Sequence, residues 1–188
     1  MECRAAILLL FILQALNAQL DISFMRFYKN DKDFISDLRL LATGRFQRSH
    51  LQVFYNSNKY PLIKEWVNPS GDIVKREILE YDINKKLIRK YFLRIDQQVD
   101  SVKYFGKNEP WSIEFRKVLS KNNYDYFDNQ ETMFVLNASN QFQSIRFSSV
   151  QGNVYGKIEF VYNHLGFLIG EIWREFPENK IVRKYSYS

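Results

Sequence analysis

Cysteine is all but missing from this chain: Cys3 stands alone near the amino terminus. An intramolecular disulfide is excluded, and if residues 1–18 are cleaved off no thiol remains for nucleophilic or redox chemistry. Histidine is nearly as scarce. His50 and His164 stand in neither a His-x-x-x-His nor a His-x-x-Glu context, which sets a zinc site aside. Ser49, beside His50, lacks a Gly-x-Ser-x-Gly elbow, and no glycine-rich loop is present to cradle a phosphate. No cofactor is expected. Only 7 glycines and 4 prolines in 188 residues argue against a low-complexity or disordered chain. The apolar run over residues 5–13 is too short for a membrane span, which needs about 20 residues as a helix.

Aromatic residues are abundant by contrast, with 16 Phe, 12 Tyr and 3 Trp, as expected of a chain built from strands whose ring pairs stabilise their neighbours. Residues 51–66 align without a gap on residues 158–173, with identities at Tyr55/Tyr162, Asn56/Asn163 and Trp66/Trp173. Such self-similarity marks a copied supersecondary unit. Written as an aromatic, a polar turn, an apolar pair and a second aromatic, the unit also fits residues 81–91 from Tyr81-Asp82. It fits residues 136–147 from Leu136-Asn137, and a degenerate copy runs from Tyr104 to a close at Phe115, crossed by Pro110-Trp111. Starts at 55, 81, 104, 136 and 162 are unevenly spaced, as in a decayed array. The physics is that of a hairpin: Asn or Asp after a strand bonds the backbone just ahead, and Gly166 supplies positive φ where the loop most needs it. Residues 68–72 and 177–180 supply further turns.

Tyr162-Asn163-x-x-Gly166-x-Leu168-Ile169 and Tyr81-Asp82-x-x-x-x-Leu87-Ile88 resemble the YD repeats of Rhs and teneurin-type extracellular proteins. The resemblance covers residues 51–187 in pieces, and one copy carries the motif's glycine. It implies long antiparallel strands joined by tight turns, in a sheet that curls into a shell or stays open. The expected fold is mainly β: an antiparallel meander of repeated hairpins over residues 48–188. A segment over residues 19–47 with one helix at about 31–43 precedes it, after a signal peptide over 1–18.

The signal reads from Arg4, the apolar run and a cleavage region ending at Ala18, although Glu2 offsets the charge and Leu16 is large for its place. An extracytoplasmic location follows, periplasmic or secreted, and the scarcity of cysteine leans toward a bacterial source. The helix reads from Asn30, Asp31 and Asp33 as caps and from Phe34, Ile35, Leu38, Leu41 and Ala42 at helical spacing, up to Thr43-Gly44. Asp31, Asp33 and Asp37 on its polar face disfavour a membrane-surface role.

Net charge is +6, and loss of residues 1–18 removes one Arg and one Glu and leaves it unchanged. Basic residues cluster at Lys85, Lys86, Arg89 and Lys90, at Arg94 and over 180–184. They keep strands from pairing edge to edge and suit a protein, glycan or lipid partner at an anionic envelope, with nucleic acid disfavoured. Trp66 and Trp173 are read as core anchors, or else, with Tyr55, Tyr91 and Tyr162, as an exposed aromatic stripe. Asn137-Ala138-Ser139 is a formal glycosylation acceptor in an expected turn. Three functions follow in order of preference. The first is a non-enzymatic binding protein, the second an apolar-ligand carrier whose half-barrel is closed by the helix. The third is a glycan hydrolase drawing on Glu65, Glu77, Glu80, Glu171 or Glu175.

Overall fold

The computed structural model describes residues 21–106, 108–119, 131–149 and 151–188; the signal peptide expected over residues 1–18 lies outside them. Twelve strands form one antiparallel sheet in almost strict sequence order. They are β1 (Phe24–Tyr28), β2 (Arg39–Leu40), β3 (His50–Tyr55), β4 (Pro61–Val67), β5 (Ile73–Tyr81), β6 (Leu87–Leu93), β7 (Val99–Phe105), β8 (Glu131–Leu136), β9 (Phe142–Ser148), β10 (Val154–Tyr162), β11 (Leu168–Glu175) and β12 (Lys180–Ser186). The order runs β12 through β3 and ends β1-β2, so the sheet is an open meander and not a barrel. Two short helices accompany it, α1 (Asp31–Ile35) and α2 (Pro110–Arg116). Among the described residues, no helix is long and apolar enough to cross a membrane.

One turn geometry joins most of the strands. Asn56, Asn68, Asp82, Arg94, Asn137, Ser149 and Asn163 each donate their N–H to the carbonyl four residues on, and each accepts with its own carbonyl from the N–H three residues on. The fourth residue of every such turn has positive φ: Lys59, Gly71, Lys85, Gln97, Asn140, Gly152 and Gly166. In five of the turns the opening Asn or Asp also accepts, through its side chain, the N–H four residues on. That bond is the local reason Asn and Asp recur there. Openers at 56, 68 and 82 and at 137, 149 and 163 alternate steps of 12 and 14 residues, a two-hairpin unit of 26. The copy expected from 104 is absent: after β7 the chain leaves the sheet for α2 and returns at β8. The uneven spacing is therefore an insertion into a regular array. A left-handed conformation costs a side chain roughly 1–2 kcal/mol, so Lys59→Gly and Gln97→Gly are each expected to stabilise the fold by about 0.5–1 kcal/mol. Thermal unfolding checks this, and an unchanged or lower midpoint would contradict it.

The amino-terminal helix is shorter than its spacing predicts. Asn30 caps it through Asp33 N–H as expected, but α1 ends at Ile35, Asp37 takes a φ of 49°, and the chain returns as β2 against β1 before a 3-10 turn over Ala42–Arg45. Of the expected apolar face only Phe34 is packed; Ile35, Leu38 and Leu41 are 81%, 62% and 77% exposed. A helix of that length is marginal by itself, and local polar bonds divert it. Arg39 donates to both carboxylate oxygens of Asp37 at 3.1 and 2.6 Å, the Tyr28 hydroxyl donates to it at 3.1 Å, and Tyr55 shares a 2.7 Å bond with Tyr28. The bonds from Arg39 hold the Asp37 carboxyl down at about 2, from an ordinary 3.8, with Tyr28 and Arg26 assisting. A depressed carboxyl stabilises the fold above its ordinary value and loses that contribution as pH falls toward 2. Asp37→Asn is thus expected to flatten the dependence of the unfolding midpoint on pH over that window, and an unaltered profile would contradict it.

The second helix was absent from the sequence-based expectation. Glu109 caps α2 by accepting from Trp111 and Ser112 N–H at 3.0 and 2.8 Å, and Pro110 fills its first turn, where a missing N–H costs nothing. Burial pushes the Glu109 carboxyl up, against those two bonds.

Cross-strand partners share a face, so the register separates the two sides of the sheet. On the front face α2 lies over β6–β11, where Phe115 stacks on Phe147 and Trp173 within a core that includes Tyr91, Phe134, Ile145 and Ile158. On the back face Phe34 of α1 joins Tyr28, Leu51, Val53 and Tyr55 at the β1–β4 end. The buried side thus changes partway along one continuous sheet, and among the described residues no helix lies over the back of β6–β11.

Candidate functional site: a cationic row on the back of the sheet

The back face of β6–β11 carries a line of cations set by strand register. Lys90 lies opposite Lys103, Lys103 opposite Met133, Met133 opposite Arg146, Arg146 opposite Lys157, and Lys157 opposite Arg174. At about 4.8 Å between strands, the line runs roughly 24 Å across six strands. Three of its junctions put like charges side by side, an arrangement that destabilises a sheet.

Carboxylates on the same face compensate in part. Glu131 binds Lys103 at 2.7 Å, and Glu159 accepts from Lys157 at 2.8 Å and Arg174 at 3.0 Å, which holds its carboxyl below the ordinary carboxylate range. Arg146 is exposed and donates to the Met133 Sδ at 3.1 Å, with no carboxylate bonded to it among the described residues. Lys90 is half-buried; burial lowers its basicity, and Lys64 and Lys103 lower it further while Glu77 opposes. Five cations thus face two carboxylates on this stretch. On the front of the same strands Arg89 stands against Glu171 and Glu175.

Aromatic rings interleave with the cations toward β4. Trp66 lies between the ammonium groups of Lys64 and Lys75, at 4.8 and 4.1 Å from its centroid, and donates its indole N–H to Asp31 at 3.1 Å. The Lys75 ammonium also stands 5.8 Å from Phe92, and Phe105 has both Lys90 and Lys103 at 5.9 Å.

The residues singled out from sequence are dispersed. Lys85 and Lys86 sit exposed in the turn after β5, with Lys85 at the left-handed position. Arg89 is on the front, 5.0 Å from the Tyr104 ring and 3.3 Å from Glu80, and Tyr91 is buried beside it with its hydroxyl on Glu80. Tyr55 is buried in the α1 core, Trp173 in the α2 core, and half-buried Tyr162 donates to the Phe142 carbonyl at 2.8 Å. Of the nine only Lys90 lies on the open part of the back face, while Trp66 is on the same face beside α1, so the nine form no single stripe. Basic residues at 180–184 lie on the edge strand β12, where they guard unpaired backbone.

Lys103, Arg146, Lys157 and Arg174 give no local signal, because each is isolated in sequence. The turn positions held the signal: a fixed turn fixes register, and register aligns these four across strands far apart in the chain.

The carboxylates considered for hydrolysis are engaged. Glu65 is held by Gln52 and Arg76, Glu77 by Lys75, and Glu80 by Tyr91. Buried Glu171 accepts from the Trp173 indole at 2.9 Å and the Tyr187 hydroxyl at 2.8 Å, and Glu175 is not without a partner. Glu65 and Glu77 point to opposite faces. Among the described residues no group of three or more His, Cys, Asp or Glu is placed to hold a metal ion. No protein-family model matches the chain, and a search of curated proteins gives no match.

Proposed function

We propose that this chain is an exported, non-enzymatic β-meander protein that binds an anionic partner of the cell envelope or surface across the back of its sheet. The observation that carries the reading is the row from Lys90 to Arg174. Like charges set directly opposite one another cost stability, and a sheet that keeps three such junctions on a side that none of the described helices covers gains from them through a ligand. Export is proposed on residues 1–18 alone, and YD-type kinship on the motif residues, with the 26-residue unit in support.

The carrier reading has less support. α1 is 5 residues long and lies on one face of an open sheet, and a depression lined by Val74, Arg94, Ile95 and Asp96 is open to solvent. The hydrolase reading has less still, because the carboxylates it needs are held by donors.

Poly-L-glutamate, a minimal carboxylate polymer, tests the proposal. Binding is expected to weaken with salt. It should fall at least tenfold (about 1.4 kcal/mol) in Arg146→Glu/Lys157→Glu and change little in Lys85→Glu/Lys86→Glu. Equal loss in both double variants would place the interaction in general charge and overturn the proposal.

A further inference from the structure

We infer that the row takes a linear acidic polysaccharide, one carboxylate to each sugar, lying across the strands from β6 to β11. The inference deepens the proposed binding function and rests on it. Three features of the face select this chemistry. The charge is arranged in one dimension at the spacing of the strands, Lys90 to Lys103 and, after a gap at Met133, Arg146 to Lys157 to Arg174, which matches a linear chain with regularly repeated anions. A mobile two-dimensional layer of lipid headgroups gains nothing from a line. At the β6–β7 end Phe92 and Phe105 flank the Lys90 and Lys103 pair on its two sides, and Phe105 lies within 5.9 Å of both ammonium groups. A ring beside an amine suits a sugar acid, whose C–H face covers the ring while its carboxylate meets the cation.

The third feature is what stands beside the rest of the row. Two residues along each strand the neighbours are Ser101, Val135, Ser144 and Glu159, hydroxyl, aliphatic and acidic groups. A single-stranded nucleic acid needs a stacking surface under successive bases, and none continues past Phe105. The half-buried Ser144 hydroxyl instead meets the hydroxyls of a sugar chain, while Ser101 is buried and donates to Asp100. Met133 interrupts the cations at β8 and receives the Arg146 guanidinium, which leaves that guanidinium free of any carboxylate among the described residues and available to a ligand.

Fluorescence anisotropy with end-labelled oligouronates, from dimer to octamer, tests the inference on the folded chain. Affinity is expected to rise with length until the oligomer fills the row of about 24 Å and then to level off. Arg146→Glu should weaken the longest oligomer at least tenfold and Arg146→Gln severalfold, with circular dichroism unchanged in both, since Arg146 is exposed. Poly(glycerol phosphate), oligo-dT and anionic phospholipid vesicles form the comparison. If any of these binds more tightly than the oligouronates with the same dependence on Arg146, the sugar-acid assignment falls while an anion-binding back face stands. If binding to every polyanion ignores Arg146, the inference and the proposed function fall together. Affinity that does not grow with length overturns the lengthwise seating.

Discussion

Gly156→Ala is expected to destabilise the fold by about 3 kcal/mol, at the upper end of what overpacking a filled core costs. A Cβ at Gly156 would overlap the Phe115 ring, the fully buried anchor of α2. That ring cannot give way, because it is stacked 4.6 Å from Phe147 on one side and 5.7 Å from Trp173 on the other. Phe115→Ala should cost about 3–5 kcal/mol through the cavity it leaves. Because the two sites touch, their effects are not expected to add: in a Phe115→Leu background the penalty for Gly156→Ala should shrink by 1 kcal/mol or more, an approximate size for contacting core residues. Urea denaturation of the four proteins in the cycle measures this, and additive penalties would show that α2 is not seated on β10.

Trp173→Ala and Trp66→Ala are expected to differ severalfold in cost although the two residues occupy the same place in the same hairpin. Trp173 is 3% exposed, stacked on Phe115 and bonded through its indole to Glu171, so its removal should cost about 4–5 kcal/mol. Trp66 is half-buried at the margin of the α1 core, between the buried Lys64 ammonium and the exposed one of Lys75, so its loss should cost about 1–2 kcal/mol. Equal costs, read from chemical denaturation, would contradict the placement of the two rings on opposite faces.

The contrast between the two tryptophans explains what the sequence could and could not disclose. Local turn chemistry was legible: Asn56, Asp82, Asn137 and Asn163 open the turns expected of them, and Gly166 has the positive φ expected of it, at 83°. Register within each hairpin followed, with Trp66 opposite Leu51 and Trp173 opposite Ile158. The insertion between β7 and β8 was not legible as such. It adds a connection between the two stretches of regular turns, so hairpins that start on β3 or β5 turn at one end of the sheet and those that start on β8 or β10 turn at the other, with their faces exchanged. Contacts between the turns bear this out, Asn140 with Gln98 and Gln141 with Gly166. A copied sequence therefore met two different environments, and the outer rings of the copies diverged from core to cation cradle.

The helices divided the same way. Spacing alone favoured a helix continuing past Ile35, but Asp37 finds Arg39 and Tyr28 in a turn and β2 finds β1, bonds that no local pattern foretells. The Glu109-Pro110 start of α2 was a readable cap, masked by the expectation of another hairpin at the same place. As for the row, Lys90 was noticed because it sits in a local basic cluster. Arg146 and Lys157 acquire meaning only when β9 and β10 are laid side by side.

Lysine acetylation mapped by mass spectrometry, with and without a saturating oligouronate, tests most directly the claim that the open back face is the binding surface. Lys103 and Lys157 should be protected together, with Lys90 beside them, while Lys59, Lys85 and Lys86 in the turns react as freely as before. Protection confined to the turn lysines or to Lys180 and Lys184 on the edge strand, or no protection at all, would contradict the account.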